Sequence, residues 1–261
     1  MRIAIIGYGK MGKMIEKNAL EKGHKITALV EPMLPESASL IGTGLYKKIE
    51  EMQDSNTIDV AIEFTTPDTV IENIKAITEM KIPMVVGTTG WYDKLDEVKK
   101  IVEASGSKLI WSSNFSMGVN LFFRIAWYAA ELLDTFPEFD IGGFEAHHNG
   151  KLDSPSGTAK ILVDGVLSRT NRKKKAVWET LSNRKPQPDE LHFPSLRLGS
   201  TPGTHSLFFD SPADTIEITH TARNRESLAS GAIRAAEWIT GSDLPGGIYN
   251  IDEMLKNMLN I

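Results

Sequence analysis

The stretch RIAIIGYGKMG, residues 2–12, decides the fold. An apolar run of strand length ends in Gly7, Gly9 and Gly12, spaced G-x-G-x-x-G, and the following residues 10–23, KMGKMIEKNALEKG, carry apolar side chains near helical spacing. In that strand–turn–helix setting the first glycine permits the tight turn. The second lets the backbone approach a pyrophosphate, and the third lets helix and strand pack closely. Amides at the start of the helix then face the phosphate charge. The next strand, HKITALVE (24–31), ends in Glu31, 19 residues after Gly12, where an acid hydrogen-bonds ribose hydroxyls. Pro32 follows, so nothing adjacent neutralises a 2′-phosphate. This favours NADH over NADPH, although a lysine from elsewhere could still reach the site.

Working outward, DVAIEFT (59–65), MVVGTT (84–89) and KLIWSS (108–113) read as further strands, near-continuously apolar as strands buried on both faces are. Helices are expected between them at 11–22, 68–80 and 92–105. Alternating strand and helix predicts an α/β, Rossmann-like, doubly wound parallel sheet. After about residue 116 the pattern changes. VNLFFRIAWYAAELLDTF (119–136) reads as a helix, FDIGGFEAHH (139–148) as a strand, and a helix follows at 157–169. SLRLG, HSLFFD and DTIEITHTA then suit a mixed or antiparallel sheet in an α+β domain. Residues 170–190 are polar and read as a long excursion, and the basic run RTNRKKK (169–175) as a solvated loop. The boundaries expected are a dinucleotide-binding domain at 1–116, to which a C-terminal helix at 229–261 returns, and a substrate-binding domain at 117–228.

Composition narrows the function. The 261 residues are 41% apolar and 24% charged, ordinary for a globular protein, with a formal net charge of −5 that gives nucleic-acid binding no support. There is no cysteine, so thiolate catalysis, disulfides and thiolate metal sites are excluded. The N-terminal apolar run is too short for a signal peptide, and no segment has the length to span a bilayer. A cytoplasmic protein without a membrane partner is expected.

Candidate site residues cluster in four places. Gly87, Thr88 and Thr89, and then Ser112, Ser113, Asn114 and Phe115, sit in loops at strand ends, where open α/β sheets bind ligands. Phe64 either walls a cofactor or packs in the core. The richest stretch is EAHHNGKLDSPSGTAK (145–160), with His147 and His148 adjacent and Lys151 after an Asn-Gly turn. Ser156 or Thr158 is the candidate N-cap of the helix after it, and the amides of Gly157 and Thr158 are free to hold an anion. An imidazole beside such a cradle supplies a general acid. A metal site is not expected: the six histidines offer no His-x-x-x-His pair. Nor is serine hydrolysis, since SPSGT is not a G-x-S-x-G elbow. A dinucleotide site followed by a cationic, proton-donating, anion-holding site implies hydride transfer to a small carboxylated substrate.

GYGKMG, VGTTG, NFSMGVN, EAHHNGKLDSPSGTA and EITHTARNR occur in the order and approximate spacing found in dihydrodipicolinate reductases, and the chain resembles that family over essentially its whole length. The resemblance implies NAD(P)H-dependent reduction of 4-hydroxy-tetrahydrodipicolinate in the lysine pathway. It also implies a homotetramer built through a shared sheet of the C-terminal domains, and a hinge that closes over substrate. His147 is then the general acid, and Lys151 a second proton donor that also binds substrate. His148, Ser156, Gly157 and Thr158 form the carboxylate cradle. Gly7, Tyr8, Gly9, Lys10, Met11 and Gly12, with Glu31, Phe64, Gly87 to Thr89 and Ser112 to Phe115, are the NAD(P)H contacts. Hydride goes to ring carbon 4, with protonation of the neighbouring carbon by His147. The chain departs from the family pattern in a glycine loop one residue shorter, in Lys10 for arginine, in Glu63 for aspartate and in Ser154 for alanine. The missing basic residue after Glu31 puts dual cofactor use in question.

Two other readings are weighed. A related dehydrogenase of a small carboxylated substrate would share the first half but lack the His-His-x-x-Lys and Ser-Gly-Thr block. A redox sensor that binds NADH without catalysis would keep GYGKMG and Glu31 but has no use for His147 and Lys151.

Overall fold

A computed structural model of the chain describes residues 1–33, 42–52 and 55–260. It contains two compact units, Met1–Met117 with Glu226–Ile261, and Gly118–Arg225.

The first unit runs β1 (Arg2–Ile6), α1 (Lys10–Glu21), β2 (Lys25–Val30), β3 (Gly44–Tyr46), β4 (Val60–Glu63), α2 (Val70–Glu79), β5 (Met84–Val86), α3 (Leu95–Ser105) and β6 (Lys108–Trp111). Next come α4 (Met117–Leu133), β7 (Asp140–His147), α5 (Gly157–Leu167), β8 (Lys175–Val177), β9 (Glu190–His192), β10 (Ser195–Arg197), β11 (Thr204–Asp210) and β12 (Thr215–Thr221). The chain then re-enters the first unit as α6 (Glu226–Gly241), β13 (Gly247–Asn250) and α7 (Ile251–Leu259).

Seven parallel strands in the order β13-β6-β5-β4-β1-β2-β3 form the first sheet. Successive side chains point to opposite faces, and both faces are covered. Ile3, Ile5, Leu29, Val60 and Ile62 pack with Ile15 and Ala19 of α1, Ile233 and Ala236 of α6 and Met254 of α7. Ala4, Ile6, Val30, Ala61 and Val86 pack with Ile74 and Ile77 of α2 and Val98 and Val102 of α3. This double burial is why these strands read as unbroken apolar runs, and it is the doubly wound sheet the sequence predicts. The strand order reverses between β1 and β4, where an open α/β sheet leaves its ligand crevice.

Two short edge strands, β3 and β13, carried no readable pattern; their place comes from hydrogen bonding to β2 and β6. The segment 229–261 is therefore not the single helix expected: α6 ends at Gly241, and Pro245, Gly246 and Gly247 turn the chain into β13 before α7. Asn250 caps α7 in a full capping box with Glu253.

In the second unit β7 is the hub of a mixed six-stranded sheet, antiparallel to β11 and parallel to β9 and β10. Phe122, Phe123 and Ala126 of α4 and Leu162 and Val163 of α5 bury one face of it against Phe193, Leu207 and Phe209. The basic run is a correction: it is not a solvated loop throughout. Lys173 is 3% exposed, with Nζ donating to the carbonyls of Glu190 (2.8 Å) and Pro188 (3.0 Å). Arg172 donates to the carbonyls of Phe139 (2.6 Å) and Leu133 (3.1 Å), satisfying the C-terminal end of α4. These cations are drawn in by main-chain carbonyls and by the carboxylates of Asp134 and Asp140, which charge patterning cannot show.

Gly231 tests the packing of α6. A Cβ there would overlap the carbonyl oxygen of Phe115. Helix propensity alone makes Gly→Ala favourable by about 1 kcal/mol, whereas overpacking costs roughly 1–3 kcal/mol. Gly231→Ala is expected to lower the unfolding midpoint in urea at unchanged slope; a rise would show that α6 can shift away from the sheet.

Candidate active site

In the first unit, sterics dictate the groove over the glycine loop. Gly7 has φ +91°, and a Cβ there would overlap the carbonyl of Phe64; a Cβ on Gly12 would overlap the carbonyl of Gly7. Gly9, by contrast, faces open space. Gly87 lies against the Phe64 ring, which leaves no room for a side chain. Two adjoining cavities, of about 720 and 420 Å³, share Gly9, Phe64 and Thr65. The larger also contains Gly7 and Glu31, the smaller Lys10, Met11, Gly87, Thr88 and Thr89. The Glu31 carboxylate accepts from the amides of Tyr8 (2.9 Å) and Met33 (3.2 Å), so it is held at the mouth of the glycine loop. The Tyr8 ring instead lies along α1, bonded to Glu16 with Lys13 over its face. Trp91 fixes the second loop by donating to the Thr88 carbonyl at 2.8 Å.

Beneath this floor Glu63 is fully buried. Burial raises its pKa, opposed by hydrogen bonds from Thr65, Thr88 and Asn73. Thr65 is thereby tied both to Glu63 and, through its amide, to Thr88 Oγ1 at 2.7 Å. Ser112 to Phe115 line neither cavity. Ser112 and Asn114 close a local turn through Ser112 Oγ, and Phe115 is 1% exposed, 6.4 Å from the Phe64 ring.

In the second unit the register of three strands assembles the other cluster. Ser195 of β10, Glu145 of β7 and His205 of β11 stand side by side, and Arg197 pairs with His147. Glu145 and His147, two residues apart, share a face. The Glu145 carboxylate has no exposure to solvent. Its Oε1 accepts from Ser195 Oγ (2.7 Å) and the Ser156 amide (2.9 Å), with Arg197 Nη2 at 3.5 Å. Its Oε2 lies 3.1 Å from His147 Nδ1 and 3.6 Å from His205 Nε2. These three side chains bring ligand atoms within 4.8 Å of one another; pairing of a carboxylate with imidazoles accounts for that convergence. On the far side of the ring, a Cβ on Gly203 would come within 2.9 Å of His147 Nε2, so glycine there leaves that nitrogen room.

Ser156 is the N-cap of α5: its hydroxyl accepts from the Ala159 amide at 3.0 Å, and it also meets His205 Nε2 at 3.3 Å. By helix geometry the first amides, those of Gly157 and Thr158, have no partner within the helix. Lys151 follows the His148 turn, its amide bonded to the His148 carbonyl, and pairs with Asp153 at 2.8 Å. His147, Lys151, Ser156 and the start of α5 thus gather at the C-terminal end of β7, with half-buried His148 next along the chain. Sequence reading missed Glu145, Ser195, Arg197 and His205. Only Glu145, inside the histidine stretch, carried a local signal; the others come from strands 50 or more residues away.

Electrostatics sharpen the picture. For Glu145, burial alone would raise the pKa, but the nearby His205 imidazole and hydrogen bonds from Ser156 and Ser195 more than reverse this and hold it far below the usual carboxylate range. Burial lowers His147 to about 4, against the opposing charge of Glu145 and with a smaller push from His205.

Residues 1–115 match the model of the dihydrodipicolinate reductase N-terminus and residues 118–255 that of its C-terminus. The chain belongs to the dihydrodipicolinate reductase family. Relatives named 4-hydroxy-tetrahydrodipicolinate reductase include one from Christiangramia forsetii, 34% identical over 99% of both chains. Another, from Archaeoglobus fulgidus, is 36% identical over 98% of this chain and 100% of its own. A dipicolinate-bound dihydrodipicolinate reductase from Paenisporosarcina sp. TG-14 shares the fold, with a TM-score of 0.76 at 22% identity over 96% of this chain and 97% of its own. The chain is an oxidoreductase of this reductase family with a Rossmann-type unit for NAD(P)H. Its residues fit that group: the backbone at Gly9 is bare, and Glu31 waits beside it in a groove of ample volume.

The depressed pKa of His147 sets the sign of a pH effect. The unfolded imidazole, near 6.5, takes up a proton before the folded one does, so stability is full above that pH and is lost as pH falls toward 4. In NMR titration the His147 ring proton is expected to move near pH 4, and His147→Gln to remove that part of the acid destabilisation. A midpoint near 6.5 would mean the ring is solvated.

Proposed function

We propose that the chain reduces 4-hydroxy-tetrahydrodipicolinate to tetrahydrodipicolinate in the diaminopimelate route to lysine. The observation that carries this reading is the buried Glu145–His147 pair beside Lys151 and the start of α5. The first unit is the dinucleotide-binding domain and the second the substrate-binding domain. The C4 hydroxyl leaves as water together with a proton from the neighbouring carbon, bound NAD(P)H would supply a hydride for ring carbon 4, and one proton then returns to that neighbouring carbon.

The substrate ring carries two carboxylates. The Lys151 ammonium, the Ser156 hydroxyl, the amides of Gly157 and Thr158, and His148 hold them, as a helix N-terminus and a cation hold any anion. Free His147 is neutral at pH 7. The nearby dianion then favours the imidazolium, which Glu145 stabilises at Nδ1. Nε2, given room by Gly203, delivers the proton to the carbon next to C4 as the enamine collapses, with Lys151 as a second donor. Glu145, Ser195 and His205 act as positioning residues, and positioning rather than covalent chemistry lowers the barrier. In the first unit the glycine loop takes the pyrophosphate and Glu31 the ribose hydroxyls. Phe64, Thr88 and Thr89 wall the groove, while Ser112 to Phe115 line neither cavity. With Pro32 after Glu31, NADH is the favoured cofactor and NADPH the second.

Assembly into a homotetramer is part of the same reading. Leu196 (49% exposed) lies with Phe144 and Phe208 on sheet surface that no helix covers among the described residues, and β12 is an open edge. A cytoplasmic location suits a biosynthetic enzyme.

His147→Gln is expected to lower kcat about 10²–10⁴-fold, the usual worth of general acid catalysis, with NADH affinity near wild type. Lys151→Ala is expected to raise KM about tenfold or more as well as slowing turnover, since a charge-assisted hydrogen bond is lost. Steady-state assays with freshly generated substrate decide both. Full activity of the first variant would remove the general-acid role, and an unchanged KM in the second would remove the carboxylate cradle.

A further inference from the structure

Lys47 and Lys48 were singled out by nothing in the sequence, and the reaction as described does not use them. We infer that they form the seat of a phosphomonoester on the adenosine ribose, so that the groove admits NADPH through this pair. The inference rests on the dinucleotide reading above and specifies its adenosine end.

Register brings the pair to the acid. Val30 pairs with Tyr46, and the Glu31 amide donates to the Tyr46 carbonyl at 3.0 Å, so the residues that follow both strands, Glu31 and Lys47, leave the sheet side by side. Glu31, Lys47 and Lys48 line the same 720 Å³ cavity as Gly7 and Gly9. Between Glu31 and Lys47 the sequence has no lysine, arginine or histidine. Both lysines are exposed, and neither side chain has an ion-pair partner among the described residues.

Charge decides what they are for. Four carboxylates line that cavity, those of Glu31, Glu50, Asp68 and Glu72, and Lys47 and Lys48 are its cations. Two amides already occupy Glu31, and Glu72 pairs with Lys75 at 2.9 Å. A ribose with a free 2′-hydroxyl needs no cation there, because Glu31 accepts its hydrogen bonds. A 2′-phosphate brings about −1.5 to −2 charges next to Glu31 and would be repelled unless a cation stood within reach. Lysines just past the adjacent strand supply that cation without a basic residue at position 32.

The test measures Kd for NADH and for NADPH with the full chain, by nicotinamide fluorescence at two salt concentrations, in wild type, Lys47→Gln/Lys48→Gln and Lys10→Gln. Circular dichroism checks that each variant is folded. The expected result is that the double variant weakens NADPH about tenfold or more, as loss of charge-assisted hydrogen bonds does, with NADH within about twofold. The salt sensitivity of NADPH binding should fall along with it. Equal weakening of both dinucleotides, no change in either, wild type that binds NADH but not NADPH, or selective loss in Lys10→Gln would each overturn the inference. Wild type that binds neither dinucleotide would instead sink the function proposed above, and this inference with it.

Discussion

A carboxylate sealed from water is the interaction around which the C-terminal unit is arranged. Burying an unpaired charge is costly enough that Glu145 would sooner take a proton. It stays ionised because Ser195, the Ser156 amide and His205 are all aimed at it and Arg197 stands near. Each of those groups comes from a different part of the chain, so the ionised state exists only when β10, β11 and the start of α5 are all in place. The His147 ring stands 3.1 Å from the same carboxylate, which joins the stability of the sheet to the placement of that imidazole. Removing one member of such a network leaves the others buried and unpaired, so the network is held together more tightly than its separate bonds suggest.

The N-terminal unit solves an opposite problem. Its site is an absence of atoms. Gly7 admits no Cβ because the main chain of Phe64 lies against it, Gly12 because the Gly7 carbonyl does and Gly87 because the Phe64 ring does, and at Gly9 the bare backbone opens onto the cavity. The groove lies where the strand order reverses between β1 and β4, so topology supplies the crevice and glycine lets backbone form its floor. Glu63 adds a buried hydrogen-bonded support under Thr65 and Thr88, and thereby stiffens the walls without entering the cavity.

Much of this was legible in the linear order of residues. RIAIIGYGKMG announces strand, turn and helix because apolar continuity, glycine spacing and helical periodicity are all local properties, and the parallel sheet follows from their repetition. EAHHNGKLDSPSGTAK likewise carries its own turn and its own helix start, so Lys151 and the Ser156 cap could be anticipated. The short edge strands could not be read, since three or four residues hold no period and are strands only through their neighbours. Arg172 and Lys173 read as solvated because charge usually is, and only the packed structure supplies the carbonyls that draw them inward.

By itself, the sequence determined the alternating α/β half and the α+β half, the glycine loop with its acid, and which titratable side chains the histidine stretch gathers. These depend on spacings of a few residues, which the covalent chain fixes. The tertiary structure alone decided which distant residues complete each site: Ser195, Arg197 and His205 around Glu145, and Lys47 beside Glu31. Strand register is the physical reason. It sets neighbours across about 5 Å of sheet between residues far apart along the chain, and no local pattern encodes it.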